Sequence, residues 1–452
     1  MTGITRQKGA ASSNPSGLKR WFLSKLMTHA ISDARLARQR IRRETRRQTD
    51  QRPHVVEYFH QVDDGYSHLA LQTLAALVST YDIDLVVHLV PGLRDDNIPE
   101  PALLQDMSRW DAAAIAPAYG LRFPDTAALP APALCELALA ILAMLDSRSF
   151  FTLGVSVSEC LWRADAAGLH ALAAQIGTAP PSAVAQKLDK GRARRAALKH
   201  YSGAMFYYEG EWYWGVDRLH HLEARLRDLA ALRDAHAPQV APKPRIATDF
   251  PAGAAAMTLE YYVSLRSPYT ALSWPPTLAL ARAAGVRLDV RPVLPMVMRG
   301  VPATFEKAFY VWKDVKREAR DLGVSFGNFY DPIGKPIQQG LGLYVWAARQ
   351  GRGNDVIGAF LQAAFAKGIN TNSRAGMRRV VEMAGLEWSE AKAHLDDPSW
   401  QDMVEANRKT LYDLGIWGVP SYRLLDRDGR QVLGVWGQDR LWLVAQKIAE
   451  HA

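Results

Sequence analysis

Polar and apolar positions change rhythm several times along this chain, and the changes mark its parts. From Leu18 to Gln48 the spacing is helical. The first half of that stretch is amphipathic, with Trp21, Phe22, Leu26 and Ile31 among its apolar positions, and the second half is almost all charge. From His54 the pattern becomes an alternation of strands and helices. His54–Val62 predicts a strand, Ser67–Tyr81 a helix and Ile83–Gly92 a second strand. An Ala/Leu-rich helical region runs from about Pro101 to Leu198. A hairpin over Gly203–Gly215 and a helix over Asp217–Asp234 close this block. His236–Ala256 is rich in Pro and Ala and predicts a linker.

After the linker the same order returns. Thr258–Leu265 predicts a strand, a helix starts at Ser267, and Val286–Leu294 predicts another strand. A helical region from about Pro302 to Leu395 follows, then a helix (Trp400–Gly415), a hairpin (Ser421–Gly437) and a last helix (Asp439–His451). The blocks also match in residues. "EYFHQVDDGYSHL" aligns without a gap on "EYYVSLRSPYTAL", sharing Glu57/Glu260, Tyr58/Tyr261, Tyr66/Tyr269 and Leu69/Leu272. At the other end, "WGVDRL" (Trp214–Leu219) matches "WGQDRL" (Trp436–Leu441). Matches at both ends of a block point to a tandem duplication. The expected fold class is therefore α/β: two tandem thioredoxin-like domains, each with a helical insertion, preceded by a basic helical N-terminal arm. The expected divisions are an arm over 1–53, a degenerate domain over 54–235, a linker over 236–256 and a second domain over 257–452.

Composition narrows the classes. The 452 residues exceed one ordinary core, and 48% are hydrophobic. No apolar run reaches the roughly 18 residues a membrane span needs, and the start of the chain lacks the pattern of a secretory signal. Two distant cysteines, Cys135 and Cys160, exclude a disulfide framework, a C-x-x-C dithiol and a cysteine zinc site. The expected compartment is the cytoplasm. The net charge of +9 is concentrated: residues 1–53 hold 13 Lys+Arg against 3 Asp+Glu, a balance of +10, and the rest is close to neutral. Such an arm suits contact with an acidic surface such as a membrane or nucleic acid, or an organellar presequence. Its plainer reading is a solvated or packing helix. Nothing base-reading accompanies it, so no sequence-specific nucleic-acid binding is expected.

Three short segments of the second block carry the candidate chemistry. Ser267 stands where a strand gives way to a helix, with Pro268 at the favoured first helical position. A hydroxyl there lies near the partial positive charge of the helix N-terminus and can donate to a thiolate placed over it; the plainer reading is an ordinary N-cap. In "GIWGVPSYRLL", Pro420 sits at the mouth of a strand. A cis bond there would present the Val419 backbone to an extended peptide ligand; the plainer reading is a loop proline. In "WGQDRL", Gln438 and Asp439 open the last helix, where backbone donors can hold a carboxylate while Asp439 takes an ammonium group. Asp as a simple helix cap is the alternative.

Taken with "SPYTAL", "RPVLP", "REARDLGVSF", "AAFAKGINT", "MAGLE", "EANRKTLYDLGIWGVPSYRL" and "WGQDRL", these segments give the second block a resemblance over nearly its whole length. It resembles the 2-hydroxychromene-2-carboxylate isomerase family, kappa-class glutathione-transferase relatives of the DsbA-like thioredoxin fold. The resemblance implies glutathione as cofactor, with Ser267 stabilising its thiolate. It further implies Val419, beside Pro420, pairing with the cysteinyl backbone, and Gly437, Gln438 and Asp439 holding the γ-glutamyl end. The implied reaction is glutathione-dependent isomerisation or transfer on a small, aromatic-type electrophile, by reversible thiolate addition. The chain departs from the family where Arg299, the candidate substrate-binding residue, takes the place of a lysine. The stretch from Arg299 to Lys307 is shorter and lacks an Asn-containing piece, and Pro275 and Pro276 are expected to break the first helix. The glutathione half thus looks retained and the co-substrate half altered.

In the first block Asp64 replaces Ser267, and a carboxylate would repel a thiolate. Met205 is expected at the position of Pro420, and Val216 replaces Gln438. This copy reads as a relic that keeps the fold, and adjacent acids such as Asp63 and Asp64 are usually solvated. Two other functional classes compete: a non-catalytic thioredoxin-fold scaffold, and a DsbA-family oxidoreductase without its cysteines. A homo-oligomer is left open.

Overall fold

The computed structural model describes residues 14–92, 98–124, 128–301 and 304–452. The start of the basic arm and part of the Arg299–Lys307 stretch therefore lie outside the described residues. Two compact units are formed: Arg38–Pro244, and the residues through Ala37 together with Arg245–Ala452.

In chain order the first helices are α1 (Gly17–Ala30) and α2 (Asp33–Thr49), and the unit boundary falls inside α2. The central unit continues with β1 (Val55–His60), α3 (Gly65–Thr80) and β2 (Asp84–Leu89). Five helices follow: α4 (Pro101–Ile115), α5 (Pro132–Leu142), α6 (Ser147–Trp162), α7 (Ala166–Ile176) and α8 (Pro181–Ala197). The hairpin β3 (Met205–Tyr208) and β4 (Glu211–Trp214) leads to α9 (Leu219–Asp228). The C-terminal unit repeats this with β5 (Thr258–Val263), α10 (Pro268–Ala284), β6 (Arg287–Pro292) and α11 (Phe305–Asp321). Then come α12 (Lys335–Ala348), α13 (Gly353–Phe365), α14 (Arg374–Met383), α15 (Trp388–Ala391) and α16 (Trp400–Asp413). The hairpin β7 (Ser421–Leu425) and β8 (Gln431–Trp436) and the helix α17 (Leu441–His451) end the chain.

The two sheets have the same order, β2-β1-β3-β4 and β6-β5-β7-β8. In each, the first pair is parallel and the other two are antiparallel. A parallel pair needs a crossover, supplied by α3 in one unit and α10 in the other. The central strand β5 is buried at every position, which explains its unbroken run Thr-Leu-Glu-Tyr-Tyr-Val in place of polar alternation. Its Glu260 is paired with Arg291 at 2.7 Å and hydrogen-bonded by Tyr262 at 2.9 Å; Glu57 of β1 is held by Arg194 and His88 at 2.6 and 2.8 Å. Burial opposes ionisation of Glu57, but these two partners outweigh it and hold its carboxyl down at about 2.

Two expectations are corrected. First, α10 is not broken by Pro275 and Pro276, which lie within it. Each proline fits the helical φ but removes a donor and crowds the carbonyl one turn back; the burial of Leu272, Trp274, Thr277 and Leu280, with Trp274 stacked on Tyr261, outweighs that cost of about 3 kcal/mol per proline. Second, the counterpart of Pro420 is Ala204, not Met205. Phe59 pairs with Met205 as Tyr262 pairs with Ser421, so the residue before each strand is Ala204 in one unit and Pro420 in the other. Backbone bonding agrees: the Gly215 N–H donates to Ala204 O at 2.7 Å, and the Gly437 N–H to Pro420 O at 2.9 Å.

The N-terminal helices are held by ion pairs and hydrogen bonds. In the C-terminal unit, Arg20 of α1 donates to the carbonyls of Asp331 and Ile333 at 2.6 and 2.8 Å. The backbone N–H groups of Asp331 and Phe329 donate to Ser24 and Thr28, both at 3.0 Å. In the central unit, Arg40 of α2 pairs with Glu211 at 2.7 Å and Arg52 with Glu209 at 3.0 Å. The His236–Ala256 segment carries the unit boundary, and its Val240 and Ala241 N–H groups donate to buried Glu223 of α9. No helix among the described residues is long and apolar enough to cross a membrane.

Candidate functional site

Ser267 caps α10. Its Oγ accepts from the Thr270 N–H at 3.1 Å, satisfying one of the donors a helix N-terminus leaves open, and Pro268 needs no such partner. The preceding Arg266 is fixed by a bidentate pair with Asp331, at 2.8 and 3.0 Å, which holds the β5–α10 turn.

Facing this helix end is the loop before β7. The Val419–Pro420 peptide is cis, as the sequence reading raised. Ser267 Oγ donates to Val419 O at 3.3 Å, so residues 152 positions apart meet here. That bond is long and easily redirected, whereas the Thr270 N–H holds the same oxygen more closely. The Val419 N–H has no hydrogen-bond partner among the described residues. Behind the loop, Gly418 packs against the Trp436 indole; a Cβ there would come within 2.1 Å of the ring. Buried Arg299 donates from Nη2 to Trp417 O at 3.0 Å. Its place is under the loop that carries Val419.

The third segment opens α17. Gly437 has φ +106°, a conformation only glycine adopts without cost, and leads into a 3-10 turn over Gln438–Arg440. Gln438 is buried; its amide donates to Glu318 at 3.1 Å and also contacts the Asp439 carboxylate. Asp439 remains partly open to solvent.

Two carboxylates that the sequence reading did not single out lie one turn apart on α11. Asp314 is buried and accepts from Tyr269 at 2.7 Å and from Arg317 at 2.6 Å. Glu318 is fully buried and accepts from Gln438. A signal existed: Tyr66 donates to Asp111 at 2.7 Å in the central unit, across the same 45-residue separation as Tyr269 and Asp314.

The same corner of the central unit is built differently. Asp64 caps α3, accepting from the Ser67 N–H at 3.0 Å and the Ser67 hydroxyl at 2.8 Å. Burial pushes its carboxyl up to about 6, against those two hydrogen bonds. Asp63 accepts from Gln61 and Gln105 at 3.0 and 2.8 Å, so these adjacent acids are held within the structure and not simply solvated. Ser67 Oγ in turn accepts from the Ala204 N–H at 3.0 Å. Its equivalent Thr270 receives no such bond, because Pro420 has no N–H to give. Asp217, the equivalent of Asp439, accepts from Tyr119 at 3.1 Å. Both cysteines also belong to this unit, on α5 and α6, and burial pushes the Cys135 thiol up to about 11 and raises that of Cys160.

The β-α-β start, the loop at the mouth of β7 and the capped α10 define a thioredoxin-type domain. Residues 258–449 match the family described as DSBA-like thioredoxin domain. Among curated proteins, 2-hydroxychromene-2-carboxylate isomerase of Sphingobium xenophagum is 25% identical over 189 residues, 41% of this chain and 94% of that protein. Among solved structures, a 2-hydroxychromene-2-carboxylate isomerase is 17% identical, with 43% of this chain and 95% of that chain covered and a TM-score of 0.37. A cytosolic disulfide reductase of Pseudomonas aeruginosa is 18% identical over 43% of this chain and 96% of that chain, with a TM-score of 0.35.

Proposed function

We propose that the C-terminal domain binds glutathione and acts as a glutathione-dependent isomerase or transferase on a small, aromatic-type electrophile. The observation that carries this reading is the meeting of Ser267 Oγ with the Val419 backbone at the N-terminus of α10. The donor set fits the tripeptide. Ser267 keeps its oxygen on Thr270 while turning its proton from Val419 O to a thiolate. The Val419 N–H is placed to pair with the ligand's cysteinyl carbonyl, and Asp439 with its α-ammonium group. Glutathione supplies a thiolate that adds reversibly to an activated carbon.

The protein's own contribution is to favour the ionised thiol. The N-terminal dipole of α10 and the Ser267 proton both stabilise negative charge there, lowering a thiol that titrates near 8.5 in water. Arg299, fixed on Trp417 O, acts as a positioning residue for the Val419 loop. Cys135 and Cys160 are poor nucleophiles at neutral pH, which supports a reactive sulfur brought by the ligand. In the central unit the capping carboxylate of Asp64 and the Ser67–Ala204 bond take up the equivalent positions, consistent with a copy that keeps the fold without the site.

The test is calorimetric titration of the full chain with glutathione, beside the Asp439→Ala variant. We expect binding at one site per chain, weakened about tenfold or more in the variant, as for loss of a charge-assisted contact of about 1.5–3 kcal/mol. No heat at millimolar glutathione would reject the reading.

A further inference from the structure

The first described helix sits on its unit with its sides reversed. The residues of α1 turned inward are polar: Arg20 and Ser24 are buried, and Arg20, Ser24 and Thr28 all bond backbone groups of residues 329–333. The apolar residues face out. Leu18, Trp21, Phe22, Leu23 and Leu26 are between 47% and 78% exposed. Leu18, Phe22 and Leu26 follow one another at intervals of four, so they form a stripe along one side of the helix. A helix docked by hydrogen bonds to carbonyls and amides has no need to bury that stripe, and five large apolar side chains in water mark a surface built to meet something.

The charge around the stripe says what. Exposed Lys19 and Lys25 edge it, and residues 1–32 contain five Lys or Arg and no Asp or Glu. The next acid in sequence, Asp33, is taken by Lys316 at 3.2 Å and by Arg320, and Asp331, which α1 packs on, is taken by Arg266 at 2.8 Å. Pairing with a second copy through a two-fold axis would set these lysines against their own kind. We propose that α1 docks the protein on an anionic lipid surface, with Leu18, Phe22 and Leu26 in the acyl boundary, Trp21 at headgroup level and Lys19 and Lys25 on the lipid phosphates. This is the pattern of an interfacial helix: an apolar face, an aromatic at the boundary and basic residues worth about 1 kcal/mol each near an acidic leaflet.

The experiment is co-sedimentation of the full chain with vesicles of phosphatidylcholine alone or mixed with phosphatidylserine. Binding to the mixed vesicles, absent with phosphatidylcholine and released by salt, is expected. F22S/L26S and K19E/K25E should each weaken it by about tenfold or more without lowering the thermal midpoint, since all four side chains are exposed. Absence of binding to the mixed vesicles, or equal binding by both double variants, overturns the proposal. A dimer in solution that F22S/L26S dissolves also overturns it, assigning the stripe to a second copy.

Discussion

In the central unit the Ala204 N–H donates to Ser67 Oγ at 3.0 Å, and in the C-terminal unit the corresponding Pro420 has no N–H to donate to Thr270. One residue type thus decides whether the residue before the strand hairpin donates to the first turn of the helix; in the C-terminal unit the loop meets the helix through Val419 O and Ser267 Oγ instead. In the central unit Asp64 closes the corner by capping the helix and accepting from the Ser67 hydroxyl.

Asp64 makes stability depend on pH in a defined direction. Its folded carboxyl titrates at about 6, above the ordinary 3.8. The folded protein therefore binds that proton more tightly than the unfolded chain, and stability falls as pH rises from about 4 to about 6. Asp64→Asn keeps an acceptor for the helix cap and removes the titration. Chemical denaturation should show the variant gaining about 1 kcal/mol on the wild type across that window, a figure reduced from the full linkage value because the side chain is only half-buried. A difference that does not change with pH would refute the assignment.

Ser267→Ala has two separable effects. Loss of the cap to Thr270 should cost about 1 kcal/mol of stability, and the bound glutathione thiol should titrate higher by about one pH unit. Ser267→Thr keeps the hydroxyl and should restore both. Thiolate absorbance followed against pH reads the second effect; an unchanged midpoint would remove Ser267 from the proposed role.

Tyr269→Phe leaves Asp314 buried with one donor fewer, although Arg317 still holds it. The expected loss is about 1–2 kcal/mol in urea unfolding, and Tyr66→Phe at Asp111 should behave alike. If only one of the two variants is destabilised, the shared Tyr–Asp pair does not do the same work in both units.

Gly418→Ala brings a methyl group to within 2.1 Å of the Trp436 ring, where the neighbour is a rigid indole on β8. We expect about 2 kcal/mol or more of destabilisation, together with lost glutathione affinity because the loop carries Val419. A fully stable variant with unchanged binding would show that this loop is not held by the ring.

Several features are legible in the sequence. Ser267 followed by Pro268 marks a helix start by local capping chemistry, and the structure begins α10 there. The strands read at His54–Val62 and Thr258–Leu265 become the central strands β1 and β5. Prolines 275 and 276 misled because propensity is a local cost, and the buried face of α10 is a tertiary gain that exceeds it. Met205 misled by one residue because a hairpin's register is set by its pairing with β1, which no local pattern states.

The order of strands and helices, the repeat of that order and the three candidate segments were determined by the sequence alone. Periodicity, capping and turn chemistry act over a few residues and can be read along the chain. The tertiary structure alone decided that Ser267 Oγ meets Val419, that Asp314 and Glu318 stand behind Tyr269 and Gln438, and that α1 turns its polar side inward. Those outcomes depend on contacts between residues far apart in sequence, where burial and hydrogen bonding with a particular neighbour, not any preference of the residue itself, set the free energy.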